Sequence, residues 1–258
     1  MKGILYYFSG TGNTKWIADK FKNAFNKNEI YIDLVNIENA EEIEIKNYDF
    51  LIIGTSIYAG LQPKIVDSFI EKLPNGDFMK VMVYSTQAAK SASAVAILKK
   101  NLEKKGYKVY SQSMFQMSNN YYFAVGKKTD KSTFKIIIDK AEQEVNETVK
   151  DFIENRERRI HLNSLRVSIA KFVGKNFNKI LPKMSKNLTS TEECIKCGLC
   201  LRNCPKGNIT FENGHAVFHS KCILCMRCIH ICPINVIRYK GEKIDQTQKN
   251  MIKSLILK

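Results

Sequence analysis

The sequence predicts an α/β chain, a doubly wound parallel sheet followed by a small C-terminal α+β domain. Three observations predict it. Apolar strand-like runs alternate with helical periodicity through residues 1–155. All eight cysteines lie between Cys194 and Cys232. Within that stretch one cysteine–proline spacing occurs twice. At 258 residues and 44% hydrophobic composition, the chain can bury the core of one large or two modest domains.

The alternation runs in order. Residues 3–8 are an apolar, aromatic-rich run ending in a glycine turn, the mark of a buried strand. Residues 14–26 carry Trp16, Ile17, Phe21 and Phe25 at helical spacing. Strands follow at 30–35 and 49–54, the latter with a fully apolar Leu51-Ile52-Ile53. Pro63 sits in the first turn of a helix that faces Ile65, Val66, Phe69, Ile70 and Leu73 inward. A strand at 79–84, a helix at 92–105, a strand at 107–115 and a long helix at 131–158 complete the series. Such alternation builds a parallel sheet with helices on both faces, and ligands bind beyond the carboxyl ends of its strands. The loops 9–14, 54–62, 85–91 and 117–123 are therefore the ones to inspect.

Residues 156–186 hold nine Lys/Arg against one acid, Glu157, while Leu162, Leu165, Ile169, Phe172, Val173 and Ile180 keep helical spacing. This reads as a basic amphipathic helical linker over 156–189, with one face packed on a domain and the other solvated. Docking to a membrane surface or to an acidic partner is the alternative. Basic charge without a base-reading motif does not indicate nucleic acid. The formal net charge of +16 divides as +3 over residues 1–117, +7 over 118–189 and +6 over 190–258. It favours acidic partners.

Cys194, Cys197, Cys200 and Cys204-Pro205 follow the pattern C-x2-C-x2-C-x3-C-P. Cys222, Cys225, Cys228 and Cys232-Pro233 repeat it at an offset of 28, as does the pair Ile209 and Ile237. The repeat implies two pseudo-symmetric halves. Three cysteines three residues apart wrap one turn of chain around a cube of iron and sulfur. The fourth cannot close on the same cube, because the chain is already leaving at the proline. Where this motif occurs twice, the fourth ligand crosses to the other cluster. One [4Fe–4S] cluster then takes Cys194, Cys197, Cys200 and Cys232, and the second takes Cys222, Cys225, Cys228 and Cys204. Structural zinc also uses C-x2-C pairs, but it needs neither the third cysteine nor the proline. His215, His219 and His230 read as surface or packing residues, the cysteines already accounting for two sites. Phe211 to Phe218, with Asn213-Gly214 at its centre, reads as a hairpin. The cysteine domain spans 190–241. A tail over 242–258 has Ile252, Leu255, Ile256 and Leu257 to pack on a domain.

Ser9-Gly10-Thr11-Gly12-Asn13-Thr14 follows the first strand and opens the first helix. Its hydroxyls and backbone amides can surround a phosphate monoester. It lacks the Gly-Lys-Ser/Thr ending of a nucleoside-triphosphate loop. It also has Lys15 where a dinucleotide fingerprint has its third glycine, although Asp33 stands where a ribose-binding acid would. A capping turn with no ligand is the remaining alternative.

Phe8 to Thr14 resembles the flavodoxin phosphate loop, and Gly54 to Gly60 resembles a flavin-contacting loop after the third strand. With the cysteine motifs, the chain resembles fused flavodoxin–ferredoxin proteins of anaerobic microbes, loosely over 1–155 and tightly over 190–240. The resemblance implies a flavodoxin-like FMN domain joined to a two-cluster ferredoxin domain. FMN phosphate would rest on Ser9, Thr11, Gly12, Asn13 and Thr14. The isoalloxazine would meet Ser56, Tyr58, Ala59, Gly60, Thr86 and Gln87. Asn120 and Tyr121 lie in a further loop that resembles one near the flavin. Flavodoxins commonly stack two aromatics on the ring and are usually acidic; here Tyr58 is the one obvious candidate and the domain is slightly basic.

The function expected from this is electron relay between two [4Fe–4S] clusters, FMN and redox protein partners, a donor and an acceptor. The alternative is a flavin-dependent reductase of a small oxidant such as a quinone. No catalytic triad, carboxylate pair or His–Cys dyad is evident. No apolar stretch reaches the length of a membrane span, and the run after Met1 is too short for a signal-peptide core, so the expected location is the cytoplasm.

Overall fold

The computed structural model describes residues 1–89 and 91–255. They pack as two compact units. The first comprises Met1–Ser9, Asn13–Ser118 and Asp130–Gly174. The second comprises Gly10–Gly12, Asn119–Thr129 and Lys175–Lys258.

In the first unit, β1 (Lys2–Tyr7), β2 (Tyr31–Asn36), β3 (Phe50–Ser56), β4 (Lys80–Gln87) and β5 (Lys108–Gln116) form one sheet in the order β2-β1-β3-β4-β5. All four pairings are parallel. Between them run α1 (Asn13–Asn26), α2 (Lys64–Lys72) and α3 (Ser93–Glu103), with α4 (Lys131–Ile153) after β5. This is the flavodoxin-like strand order, in which direction reverses between β1 and β3.

The pleat explains which helix covers which face. Gly3 pairs with Phe50 and Gly54 with Tyr84, so these residues point to one face. There Phe21 and Phe25 of α1 and Phe152 of α4 pack on Phe50, Tyr84 and Phe115. Tyr6 points the other way, onto Phe69 of α2. Gln112 also faces that side and donates to the Val95 carbonyl of α3. Gly54 leaves room for the Tyr84 ring: a Cβ there would lie 2.2 Å from its Cζ.

The second unit has three short-strand pairings. β6 (Leu188–Ser190) and β10 (Glu242–Lys243) flank β9 (Ile237–Tyr239) in an antiparallel sheet. β7 (Ile209–Glu212) and β8 (His215–Phe218) form the hairpin expected at Asn213-Gly214, both of which take positive φ. The unit also has two single-turn helices, α6 (Leu199–Arg202) and α7 (Arg227–Ile231). Leu188, Ile209, Phe218, Ile229 and Ile237 form its buried core. The repeat extends to the backbone. Lys196 and Leu224, Gly198 and Met226, and Gly207 and Asn235 are each 28 apart, and all six have positive φ.

The long helix stops at Ile153, short of the expected 158. Asn155 takes a left-handed φ of 56°, and the chain then runs extended beside β5. Arg158 accepts from the Gln112 amide at 2.9 Å and donates to the Tyr110 carbonyl at 3.2 Å. These residues cover the exposed edge of β5 rather than prolonging the helix. The next helix, α5 (Ser164–Ser185), therefore begins eight residues later than 156.

Its orientation also differs from the expectation. Leu165, Ile169, Phe172, Val173 and Ile180, the apolar series read as the packing face, are exposed. The buried positions are Gly174, Leu181 and Ser185. Helical spacing identifies a stripe but not the neighbour it meets. In the tail, Ile252 and Leu255 are buried as expected, while Ile256 and Leu257 lie outside the described residues.

The Gly54–Tyr84 contact carries a direct prediction. Gly54→Ala forces the Tyr84 ring off its seat and should lower unfolding stability by about 1–3 kcal/mol, measured by denaturant titration of the full chain.

Candidate functional site

Where β1, β3 and β4 end, the first unit gathers hydroxyl groups. Ser9 is buried after β1, and its Oγ accepts from the Lys15 amide at 3.3 Å. Thr14, in the first turn of α1, shares a 2.8 Å hydrogen bond with Thr86 at the end of β4. Tyr84 Oη donates to the Thr14 carbonyl at 3.0 Å, so the ring seated over Gly54 also holds this turn. Complete burial raises the Tyr84 phenol well above its ordinary pKa, keeping it a donor. Asn13 Nδ2 donates to the Ser118 carbonyl at 3.3 Å.

Two buried polar atoms here, Asn13 Oδ1 and Ser56 Oγ, have no hydrogen-bond partner among the described residues. Orphaned polar atoms beyond the carboxyl ends of parallel strands fit a polar ligand that completes their hydrogen bonding. After Ser56, the chain makes a tight turn. Tyr58 and Leu61 exchange backbone hydrogen bonds at 2.8 and 3.2 Å, with Ala59 and Gly60 between them at φ 48° and 85°. Positive φ at both central residues is the geometry of a type I′ turn. Among the described residues, and apart from its chain neighbours, nothing lies within 4 Å of a Cβ built on Gly60. Thr86 and Gln87 are buried; their carbonyls accept from the Ile57 and Met117 amides, tying both neighbouring loops to β4.

The remaining loop residues belong to the second unit. Thr11 accepts from Asn120 Nδ2 at 2.9 Å. Gly12, at φ 104°, lies so close to the tail that a Cβ would fall 2.1 Å from the Met251 carbonyl oxygen. Tyr121 shares a 3.1 Å contact with the Tyr239 hydroxyl and stacks edge-on with Phe123. Burial and the Tyr239 hydrogen bond raise the Tyr121 phenol.

Two residues not singled out from the sequence also hold these loops. One is Tyr84, an aromatic in an apolar strand that carried no distinguishing signal. The other is Arg227, buried, whose Nε donates to the Gly10 carbonyl at 3.0 Å and whose Nη1 donates to the Asn203 carbonyl at 2.9 Å. A signal for Arg227 did exist, because the corresponding position of the first repeat is Leu199.

The eight cysteines are all free thiols and divide into two groups. One cavity is lined by Cys194, Cys197, Cys200 and Cys232. A second is lined by Cys204, Cys222, Cys225 and Cys228. No histidine lines either among the described residues. Each group thus draws its fourth member from the other repeat. Among the described residues no three His, Cys, Asp or Glu side chains converge as a single metal ion would require. Four cysteines line each cavity, the donor number that suits a cube with one thiolate on each iron.

The electrostatics fit that donor set. Burial pushes Cys200 up to about 11, and neighbouring Cys194, Cys232 and Cys197 push in the same direction. Burial pushes Cys225 up to about 12, against the nearby Arg227 guanidinium. Thiolates gathered in this way need a counter-charge, which iron supplies on binding. Backbone amides are already aimed at the sulfurs. Asn208 N–H lies 3.3 Å from Cys204 Sγ and Val236 N–H 3.5 Å from Cys232 Sγ, at symmetric positions of the repeat.

A family model described as a flavodoxin domain matches residues 4–117, and one described as a 4Fe-4S dicluster domain matches residues 186–233. A flavodoxin from Maridesulfovibrio salexigens is 30% identical over 122 residues, covering 44% of this chain and 84% of that protein. Similar solved structures include a flavodoxin from the domain Archaea, 16% identical with a TM-score of 0.43, covering 67% of this chain and 99% of that one. Oxidised flavodoxin 2 from Bacillus cereus is 21% identical with a TM-score of 0.45, covering 59% and 100%. The strand order, the cysteine-lined cavities, the two family models and the Maridesulfovibrio salexigens relative agree: the chain belongs to the flavodoxin family, with a 4Fe-4S dicluster domain fused behind the flavodoxin domain, an electron-transfer flavin and iron–sulfur protein.

Proposed function

We propose that the chain relays single electrons between two [4Fe–4S] clusters and FMN, and onward to redox partner proteins. The observation that carries this reading is the pair of cavities, each lined by four cysteines drawn from both repeats. Clusters pass one electron at a time and a flavin accepts one or two, so the pair can match one-electron and two-electron partners. Joining both modules in one chain makes their encounter intramolecular.

The contribution of the protein is to bind, orient and tune. Cys194, Cys197, Cys200 and Cys232 would hold one cluster, and Cys204, Cys222, Cys225 and Cys228 the other. The amides of Asn208 and Val236 would lower the electron density on Cys204 and Cys232 sulfur, favouring the reduced state. Ser9, Thr11, Gly12, Asn13 and Thr14 would receive the FMN phosphate at the α1 N-terminus. Ser56, Tyr58, Ala59, Gly60, Thr86 and Gln87 would border the ring, and Asn120 and Tyr121 are proposed as further flavin contacts. Thr14 and Thr86 hold each other in place, so the two parts of that site are mutually positioned before FMN arrives. No helix among the described residues is long and apolar enough to cross a membrane.

Anaerobically purified, reconstituted protein should contain about eight irons and about one FMN per chain. On rapid mixing with a one-electron donor, flavin bleaching should trail cluster bleaching at a rate independent of protein concentration. A concentration-dependent rate would mean transfer between molecules and would overturn the relay.

Cys204→Ser should cost about half the iron. Anaerobic alkylation followed by mass mapping should then label Cys222, Cys225 and Cys228, leaving Cys194, Cys197, Cys200 and Cys232 protected. Labelling of Cys194, Cys197 and Cys200, with Cys222, Cys225, Cys228 and Cys232 protected, would mean that each repeat holds its own cluster.

Thr14→Val keeps the shape of the side chain and removes its hydroxyl. FMN affinity, followed by flavin fluorescence quenching, should fall about tenfold, the worth of one hydrogen bond to a charged group.

A further inference from the structure

Helix α5 is docked by one side and leaves the other bare. Gly174 lies against Leu61, where an added Cβ would sit 2.2 Å from Leu61 Cδ1. On the opposite side Leu165, Ile169, Phe172 and Val173 are 64%, 54%, 69% and 47% exposed. Their spacing of i, i+4, i+7 and i+8 places them on a single stripe about half a turn away from Gly174. The 22 residues of α5 include Arg166, Lys171, Lys175, Lys179 and Lys183 and no Asp or Glu.

We infer that this stripe is an in-plane membrane anchor that seats the protein on an anionic lipid surface. Phe172 and its apolar neighbours enter the boundary between headgroups and acyl chains, while the lysines and Arg166 meet the lipid phosphates. Charge complementarity selects this occupant. A second copy of the chain would press two acid-free cationic helices together, which is repulsive. An acidic protein would satisfy the cations but would have to present a matched apolar groove between its acids. A lipid surface offers diffuse negative charge and an apolar layer together, as basic amphipathic helices require. The anchor is interfacial, since no helix among the described residues can span a bilayer.

The test uses full-length protein carrying its cofactors, sedimented with vesicles of phosphatidylcholine alone or of phosphatidylcholine with about 30% phosphatidylglycerol. Binding is expected only to the anionic vesicles and should weaken as salt rises. Ile169→Ser with Phe172→Ser, and separately Lys171→Glu with Lys175→Glu, should each weaken it about tenfold or more. Unchanged cofactor absorbance reports that a variant is folded; if the first pair loses it, Leu165→Ser alone takes its place. Wild-type protein left in the supernatant with anionic vesicles would overturn the inference. So would undiminished binding by the apolar variants, which would reduce the contact to adsorption of charge. A dimer seen by light scattering and dissociated by Phe172→Ser would also overturn it, giving the face to a second copy.

Discussion

Four thiols gathered around one cavity in a domain this small set the terms for the rest of the second unit. Burial raises the Cys200 and Cys225 thiols above their ordinary pKa, and neighbouring cysteines add to the shift. Such a group is stable as thiolates only when bound cations offset the charge. The chain must also carry its backbone tightly around each group. That accounts for the paired left-handed residues Lys196 and Leu224, Gly198 and Met226, and Gly207 and Asn235. Lysine, leucine and methionine are poor choices for positive φ, so packing around the cysteines outweighs local preference at these places.

In the first unit the corresponding constraint is the convergence of parallel strand ends. Backbone groups at the ends of β1, β3 and β4 have no further strand partner, and the chain answers with hydroxyl and amide side chains. Thr14 and Thr86 bond each other, whereas Asn13 Oδ1 and Ser56 Oγ are buried with no hydrogen-bond partner among the described residues. Tyr84 couples this region to the core. Its ring occupies the space that Gly54 leaves, and its hydroxyl secures Thr14, so sheet packing and loop geometry depend on the same side chain.

Much of this was legible in the sequence. Every strand of the large sheet lies within a few residues of its apolar run, because a buried parallel strand has to be apolar on both faces. The Asn213-Gly214 hairpin was legible for a different reason, since few dipeptides accept two consecutive positive φ angles. The end of α4 was not legible. Residues 154–158 are polar and compatible with a helix, and they leave it because the edge of β5 offers hydrogen bonds that the helix does not. The outward face of α5 was read as the inward one for a related reason: leucine, isoleucine and phenylalanine at helical spacing ordinarily seek a core. Here glycine at position 174 permits the close approach to Leu61, so the smallest residue marks the packed side.

The sequence by itself determined the doubly wound sheet, the two-part organisation, the hydroxyl-rich turn after the first strand and the identity of the eight thiols. These depend on periodicity, turn chemistry and spacing, which act over a few residues. Only the tertiary structure decided where α4 ends, that Arg227 and Tyr84 hold the loops, and which side of α5 faces outward. Those outcomes depend on what lies opposite each residue after folding, and separations such as that between Gly10 and Arg227 leave no local trace in the sequence.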